Sequence, residues 1–234
     1  MKHPERIELA PGYSISRIIT GLWQVADIEK EDGSMDLGPA ASALVDYAES
    51  GFDTFDMADH YGSAELIAGH ARRKMQEHDS ANGTTSQARF HTKWCPKPGE
   101  MTPQKVREGV LLSAERLDTE QIDLMQFHWW NYEHPQYLDA MEGLQSLKEE
   151  GIIRHLGLTN FDTDHLHLLL QEGIPIISNQ VVVSILDRRA LAEMSRVCLE
   201  HGVKLLAYGT AVSYTHLRAH ETREDRRLPL EGGK

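Results

Sequence analysis

Four times along the chain a helical pattern ends in two polar residues and a glycine, then passes at once into an apolar run. Glu49-Ser50-Gly51 precedes Phe52 to Met57, and Glu149-Glu150-Gly151 precedes Ile152 to Asn160. Gln171-Glu172-Gly173 precedes Ile174 to Val183, and Glu200-His201-Gly202 precedes Val203 to Tyr208. A glycine just past a helix takes the left-handed conformation that closes the last turn. The apolar runs that follow read as buried strands. Repeated helix-to-strand punctuation predicts right-handed βαβ units and a parallel sheet.

The intervening segments fit the same rhythm. Ile15 to Trp23 reads as a first strand, after a short polar hairpin around Pro11-Gly12. Pro39 suits a first helical position, with Leu44, Tyr47 and Ala48 on one face. Ala64 to Met75 reads as a helix, and the polar stretch Gln76 to Ala88 as a surface loop. Arg89 to Trp94 and Asp123 to His128 read as strands. Thr102 to Leu117 reads as a helix with Val106, Val110 and Ala114 on one face, and Leu138 to Glu150 as another. Leu166, Leu169 and Leu170 mark a further helix, and Leu191, Met194 and Cys198 the next. Seven strands with helices between them predict an α/β fold, an incomplete (β/α)8 TIM barrel with about seven of its eight strands. A doubly wound open sheet is the alternative. No glycine-rich phosphate loop follows the first strand, which weighs against it.

The chain has 234 residues, 40% of them hydrophobic, which suffices for a core and excludes an intrinsically disordered chain. A formal net charge of −12 argues against nucleic acid or an anionic membrane as partner. No run approaches the ~18 apolar residues of a membrane helix. The polar start lacks the apolar core of a signal peptide, and Cys95 and Cys198 cannot make a disulfide framework. A cytoplasmic location is the expectation.

In an α/β barrel, reactive groups stand at the C-terminal ends of strands. Asp56 ends the second strand, with Tyr61 five residues on. Lys93, His128 and Thr159-Asn160 end the next three. Asn179-Gln180 lies in the sixth strand and Tyr208 ends the seventh. These groups permit proton transfer beside a carbonyl. A tyrosine ordinarily titrates near ~10, and a neighbouring ammonium favours its phenolate. Lys93 could supply that charge and Asp56 could hold Lys93. His128 could hydrogen-bond a carbonyl and help deliver the proton. Asn160 and Gln180 could clasp an amide, and Tyr208 offers a flat ring for stacking. No residue is an evident hydride donor, so a reduction would need a cofactor. No spacing resembles a zinc motif.

The chain resembles the aldo-keto reductase superfamily. The matching words are Gly51-Phe-Asp-Thr-Phe-Asp-Met-Ala-Asp-His-Tyr-Gly62 followed by Glu65, then Thr92-Lys93-Trp94. Asp123-Leu-Met-Gln-Phe-His128-Trp129, Gly151-Ile-Ile-Arg-His-Leu-Gly-Leu-Thr-Asn-Phe161, Asn179-Gln180 and Leu206-Ala-Tyr-Gly-Thr210 follow in the family's order. The resemblance implies that Tyr61 is the general acid, tuned by Lys93 and Asp56, with His128 orienting the carbonyl. It implies that Thr159, Asn160 and Gln180 bind a nicotinamide carboxamide and that Tyr208 stacks on the ring. It further implies NADPH, less often NADH, as cofactor, a small-molecule aldehyde or ketone as substrate, and no metal. Trp23, Trp129 and Trp130 fall where the family lines its substrate pocket. Trp130 stands where the family often has proline. Two other readings stay open: a non-catalytic, nicotinamide-sensing subunit of a membrane channel, and an inactive fragment. Substrate identity and oligomeric state are not given by the sequence.

After Thr210 the pattern breaks. Val212 to Thr222 (VSYTHLRAHET) reads as one frame of a transposase-type sequencing adapter. Residues 1–211 are therefore expected to form the barrel domain, and residues 212–234 to be a non-native tail. A chain cut there would lack the eighth βα unit, fold poorly and be inactive.

Overall fold

In the computed structural model, residues 3–25 and 36–210 are described. The expected tail, residues 212–234, lies outside them. An antiparallel hairpin, β1 (Arg6–Ala10) and β2 (Tyr13–Ser16), comes first. Then come β3 (Thr20–Gly21), α1 (Leu37–Glu49), β4 (Thr54–Asp56), α2 (Ala64–Asn82), β5 (Arg89–Trp94) and α3 (Pro103–Arg116). The chain continues through β6 (Ile122–His128), α4 (Tyr137–Glu149), β7 (Ile153–Thr159), α5 (Thr163–Gln171), β8 (Ile176–Val182), α6 (Glu193–His201) and β9 (Lys204–Tyr208).

The sheet is seven-stranded and parallel, in the order β3-β4-β5-β6-β7-β8-β9. Spatial order follows chain order throughout, so the doubly wound alternative is excluded: that fold must reverse direction at a switch point. The sheet also curls. Four strand spacings separate β4 from β8, about 19 Å in a flat sheet. Yet the Gln180 side chain on β8 reaches the Asp56 side chain on β4 at 3.0 Å. The described part is a curled half-barrel, an incomplete (β/α)8 barrel.

The helix ends bear out the glycine punctuation. After α1, the Gly51 N–H donates to Ala48 O and the Phe52 N–H to Tyr47 O, both at 2.9 Å. Gly151 and Ile152 close α4 in the same way, and Gly173 and Ile174 close α5. This 5→2 and 6→1 pairing is the Schellman motif, and it requires φ > 0 at the glycine. The observed φ values are +89°, +85° and +79°. In each case the residue after the glycine is apolar and leads into the next strand.

Three expectations about elements change. The expected first strand, Ile15 to Trp23, is divided. Ile15 and Ser16 belong to the hairpin, the Ser16 hydroxyl turns the chain by donating to Ile18 O at 2.7 Å, and only Thr20–Gly21 joins the sheet. Helix α1 starts two residues before Pro39, because the Asp36 side chain caps it by accepting from the Gly38 N–H at 2.9 Å. Helix α2 runs on through half of the expected loop and stops at Gly83, φ +66°. Its last two turns are solvated on every side, so hydrophobic periodicity gave no sign of them.

The core lies between the sheet and its helices, with Val106, Val110, Met141, Leu144, Leu166 and Leu169 facing in from α3, α4 and α5. The hairpin closes the N-terminal mouth. Leu9, Tyr13 and Ile15 pack against Leu124 and Leu206 from the inner face of the sheet, and the Tyr13 hydroxyl hydrogen-bonds His91 Nε2 at 2.9 Å. Plugging one mouth leaves the C-terminal mouth as the accessible one. Among the described residues, no helix is long and apolar enough to cross a membrane.

Candidate active site

Alternation along each strand decides which side chains enter the barrel. Asp56 on β4, Lys93 on β5, Gln126 and His128 on β6, Thr159 on β7 and Gln180 on β8 all fall on the inner face, near the C-terminal ends. Lys93 is 2% exposed and is ion-paired with Asp56 Oδ2. Its Nζ also donates to Met57 O at 3.1 Å. The other carboxylate oxygen, Asp56 Oδ1, accepts from Gln126 Nε2 at 2.7 Å and from Gln180 Nε2 at 3.0 Å. Gln180 Nε2 donates in addition to Gln126 Oε1 at 3.1 Å. A buried ion pair is tolerable only when its remaining polar atoms are satisfied, and the two glutamine amides do this for Asp56.

Gln126 was missed by sequence reasoning, which looked only at strand ends. The available signal was parity: Gln126 lies two residues before His128 and so shares its face. Glycine at 157 makes room for this network. A Cβ there would meet Ser178 Oγ at 2.6 Å and Gln126 Cγ at 3.4 Å.

Tyr61 lies on the loop between β4 and α2. Lys93 Nζ is 5.2 Å from its ring centroid. Trp23 meets the Tyr61 ring edge-on at 4.6 Å, and His60 does so at 4.8 Å. The loop is held from below. The Asp59 N–H donates to Lys93 O at 2.9 Å, and Arg116 Nη1 donates to Asp59 O at 3.2 Å and to the buried Glu65 at 3.3 Å. Thr92 Oγ1 donates to the other Glu65 oxygen at 2.6 Å. Burial still raises the Glu65 pKa.

His128 is 5% exposed, and its pKa is pushed down to about 3 by burial, helped by the nearby Lys93 charge. The ring is therefore neutral at any physiological pH and has no imidazolium proton to deliver. The Trp130 ring lies over it at 3.9 Å and is 44% exposed.

Trp129 departs from expectation. It is 2% exposed, packs on Phe127 and donates Nε1 to Asn131 O at 2.7 Å. Its position, one residue from inward-facing His128, turns it into the helix layer. It is a core residue, whereas Trp23 and Trp130 stand by Tyr61 and His128.

The far side of the mouth is built by β7, β8 and β9. Asn160 follows β7 with φ +56°, a left-handed conformation that asparagine tolerates. Its N–H donates to Gln180 O at 2.8 Å, and its Oδ1 accepts from the Tyr208 hydroxyl at 3.0 Å. This bond fixes the half-exposed Tyr208 at the rim. The Thr159 hydroxyl is buried and has no partner among the described residues. Asn179 faces the helix layer, where its Nδ2 donates to Phe161 O at 2.9 Å.

The sheet thus collects a buried ammonium, a tyrosine, a neutral imidazole and a rim of amides and hydroxyls at one mouth. The family model described as the aldo/keto reductase family matches residues 17–229. This chain belongs to the aldo/keto reductase family. Among curated members, it is 28% identical over 210 residues to the NADH-specific methylglyoxal reductase of Escherichia coli, covering 83% of this chain and 63% of that protein. It is 28% identical over 170 residues to the chloroplastic pyridoxal reductase of Arabidopsis thaliana, covering 68% of this chain and 47% of that one. The chain thus spans about half to five-eighths of these two curated relatives. Among solved structures, an aldo/keto reductase of Klebsiella pneumoniae in complex with NADP and acetate superposes with a TM-score of 0.74 at 21% identity, over 92% of this chain and 71% of that one. At that identity the likeness establishes the family's fold.

Proposed function

We propose that this protein is an NAD(P)H-dependent carbonyl reductase that converts a small aldehyde or ketone to an alcohol. The observation that carries this reading is the buried Lys93–Asp56 pair beneath the Tyr61 ring, with neutral His128 on the adjacent strand. A nicotinamide bound at this mouth would supply the hydride for the carbonyl carbon. The Tyr61 hydroxyl gives its proton to the carbonyl oxygen. Lys93 faces the phenolate that remains, and Asp56 holds Lys93 in place. His128 hydrogen-bonds the carbonyl oxygen and orients it. Trp23 and Trp130 flank the reacting groups and exclude water.

The residues present fit the nicotinamide end of such a cofactor. The buried Thr159 hydroxyl has no partner among the described residues, and a carboxamide could supply one. Asn160 and Tyr208 stand beside it, locked to each other. Gln180 has its amide nitrogen engaged by Asp56 and Gln126, so Oε1 is what it offers a carboxamide. The names of the two curated relatives suggest reactive small carbonyls as substrates, and one of them suggests that NADH is acceptable in place of NADPH.

The test is turnover of methylglyoxal and simple aldehydes with NADPH and NADH, followed by nicotinamide oxidation and product analysis. The expected result is one alcohol formed per nicotinamide oxidised. Tight nicotinamide binding without turnover of any carbonyl would overturn it in favour of a sensing role.

A further inference from the structure

A second cluster adjoins this mouth. The Asp59 carboxylate, a His60 ring nitrogen and Cys95 Sγ lie within 4.8 Å of one another. Asp59 Oδ1 is 3.0 Å from His60 Nδ1, and Asp59 Oδ2 accepts from the Cys95 N–H at 3.0 Å. Cys95 Sγ is 3.5 Å from His128 Nδ1. We propose that Asp59, His60 and Cys95 form a zinc-binding site beside the Tyr61 loop, with water completing the coordination.

The distances suit one small ion. Tetrahedral zinc with bonds of about 2.0–2.3 Å places neighbouring ligand atoms roughly 3.3–3.8 Å apart. The 3.0 Å Asp59–His60 separation lies just below that range. Side-chain rotation brings in the widest pair. A thiolate, an imidazole and a carboxylate form a donor set for zinc, whereas magnesium and calcium want oxygen throughout. The site has an entry path, since Asp59, His60 and Cys95 are partly exposed. It is also preorganised: Asp59 is fixed by the Lys93 carbonyl and by Arg116. The residues come from just past the ends of two neighbouring strands, β4 and β5, so no linear zinc spacing exists. Metal here would sit on Cys95, whose sulfur is 3.5 Å from His128 Nδ1, and on His60, whose ring meets Tyr61 at 4.8 Å, and turnover would fall as zinc rises. That last consequence rests on the reductase reading; the binding itself does not.

The experiment uses the full chain, reduced and stripped of metal. It is titrated with cobalt(II) as an optical probe, then with zinc(II) against a chromophoric chelator. The expected result is a near-ultraviolet sulfur-to-cobalt charge-transfer band that zinc displaces. Cys95→Ser should abolish the band, and Cys198→Ser should keep it. His60→Ala should weaken zinc binding by more than about 100-fold, since loss of an outer-shell partner alone costs ~10–100-fold. In the unmutated protein, zinc should protect Cys95 from alkylation and leave Cys198 as it was, a readout that needs no variant to fold. Absence of a thiolate band, its survival in Cys95→Ser, or unprotected Cys95 would overturn the proposal.

Discussion

Gln180 on β8 and Asp56 on β4 are joined by a 3.0 Å hydrogen bond across the interior of the sheet, although 124 residues separate them. The bond exists because the sheet curls, and it ties the sixth parallel strand to the second. It also joins Gln126 in donating to the carboxylate oxygen that Lys93 leaves open.

Removing that bond should be felt in stability as well as in activity. Gln180→Leu leaves an unsatisfied lone pair on Asp56, a loss of roughly 1–3 kcal/mol. Urea denaturation followed by circular dichroism should show a lower midpoint with an unchanged slope. A midpoint within error of the parent would mean that water replaces the amide.

The ion pair itself should be strongly non-additive. Lys93→Met or Asp56→Asn leaves a buried polar partner uncompensated, at about 3–5 kcal/mol for a broken buried pair. The double variant Asp56→Asn, Lys93→Met removes both charges and should lose less than the two single losses added together. Additive losses would show that the two side chains do not interact.

Acid should destabilise the fold earlier than carboxylate titration alone would. His91 and His155 are pushed down to about 4 and His128 to about 3, in each case first by burial. An unfolded histidine protonates near ~6.5. Between that pH and about 4 the unfolded chain binds more protons than the folded one, so stability falls as pH drops. Each histidine that must stay neutral contributes up to about 1.4 kcal/mol per pH unit in that window. Melting temperatures from pH 7 down to 4 should fall steadily, and His91→Phe should flatten the curve. A flat profile over this range would contradict the neutral assignments.

Two glycines should differ in cost. At Gly157 a Cβ meets side-chain atoms only, Ser178 Oγ at 2.6 Å and Leu124 Cδ1 at 3.2 Å with Gln126 Cγ in contact, so Gly157→Ala should cost about 1–3 kcal/mol and disturb the Asp56 network. At Gly69 it would overlap the Arg116 backbone carbonyl, which cannot rotate away. Gly69→Ala should therefore unfold at the lower denaturant concentration of the two, and the reverse order would count against the packing of α2 on the end of α3.

What the sequence made legible follows from local physics. Helix ends were readable because Gly51, Gly151 and Gly173 need φ > 0, and the apolar residue after each glycine announces the next strand. That Asp56, Lys93 and His128 meet at one mouth was readable because each stands at or next to the end of an apolar strand of a parallel α/β sheet. Gln126 was not, because it lies inside its strand and its partners come from β4 and β8. Trp129 packs in the core because, just past the end of β6, it turns back onto Phe127 rather than following His128 into the mouth. The length of α2 was hidden by a polar surface that carries no periodic signal. The Asp59–Cys95 proximity is a product of strand order and leaves no trace in linear spacing.

The measurement that bears most directly on the account is a comparison of Tyr61→Phe with the parent protein in two assays on the same preparation. One is nicotinamide binding by quenching of tryptophan fluorescence, and the other is NADPH oxidation in the presence of a carbonyl that the parent reduces. The expected result is unchanged binding with turnover lowered by roughly 100-fold or more, since a positioned acid is worth about 10²–10⁴ in rate. Turnover close to that of the parent would contradict the assignment of Tyr61 as proton donor.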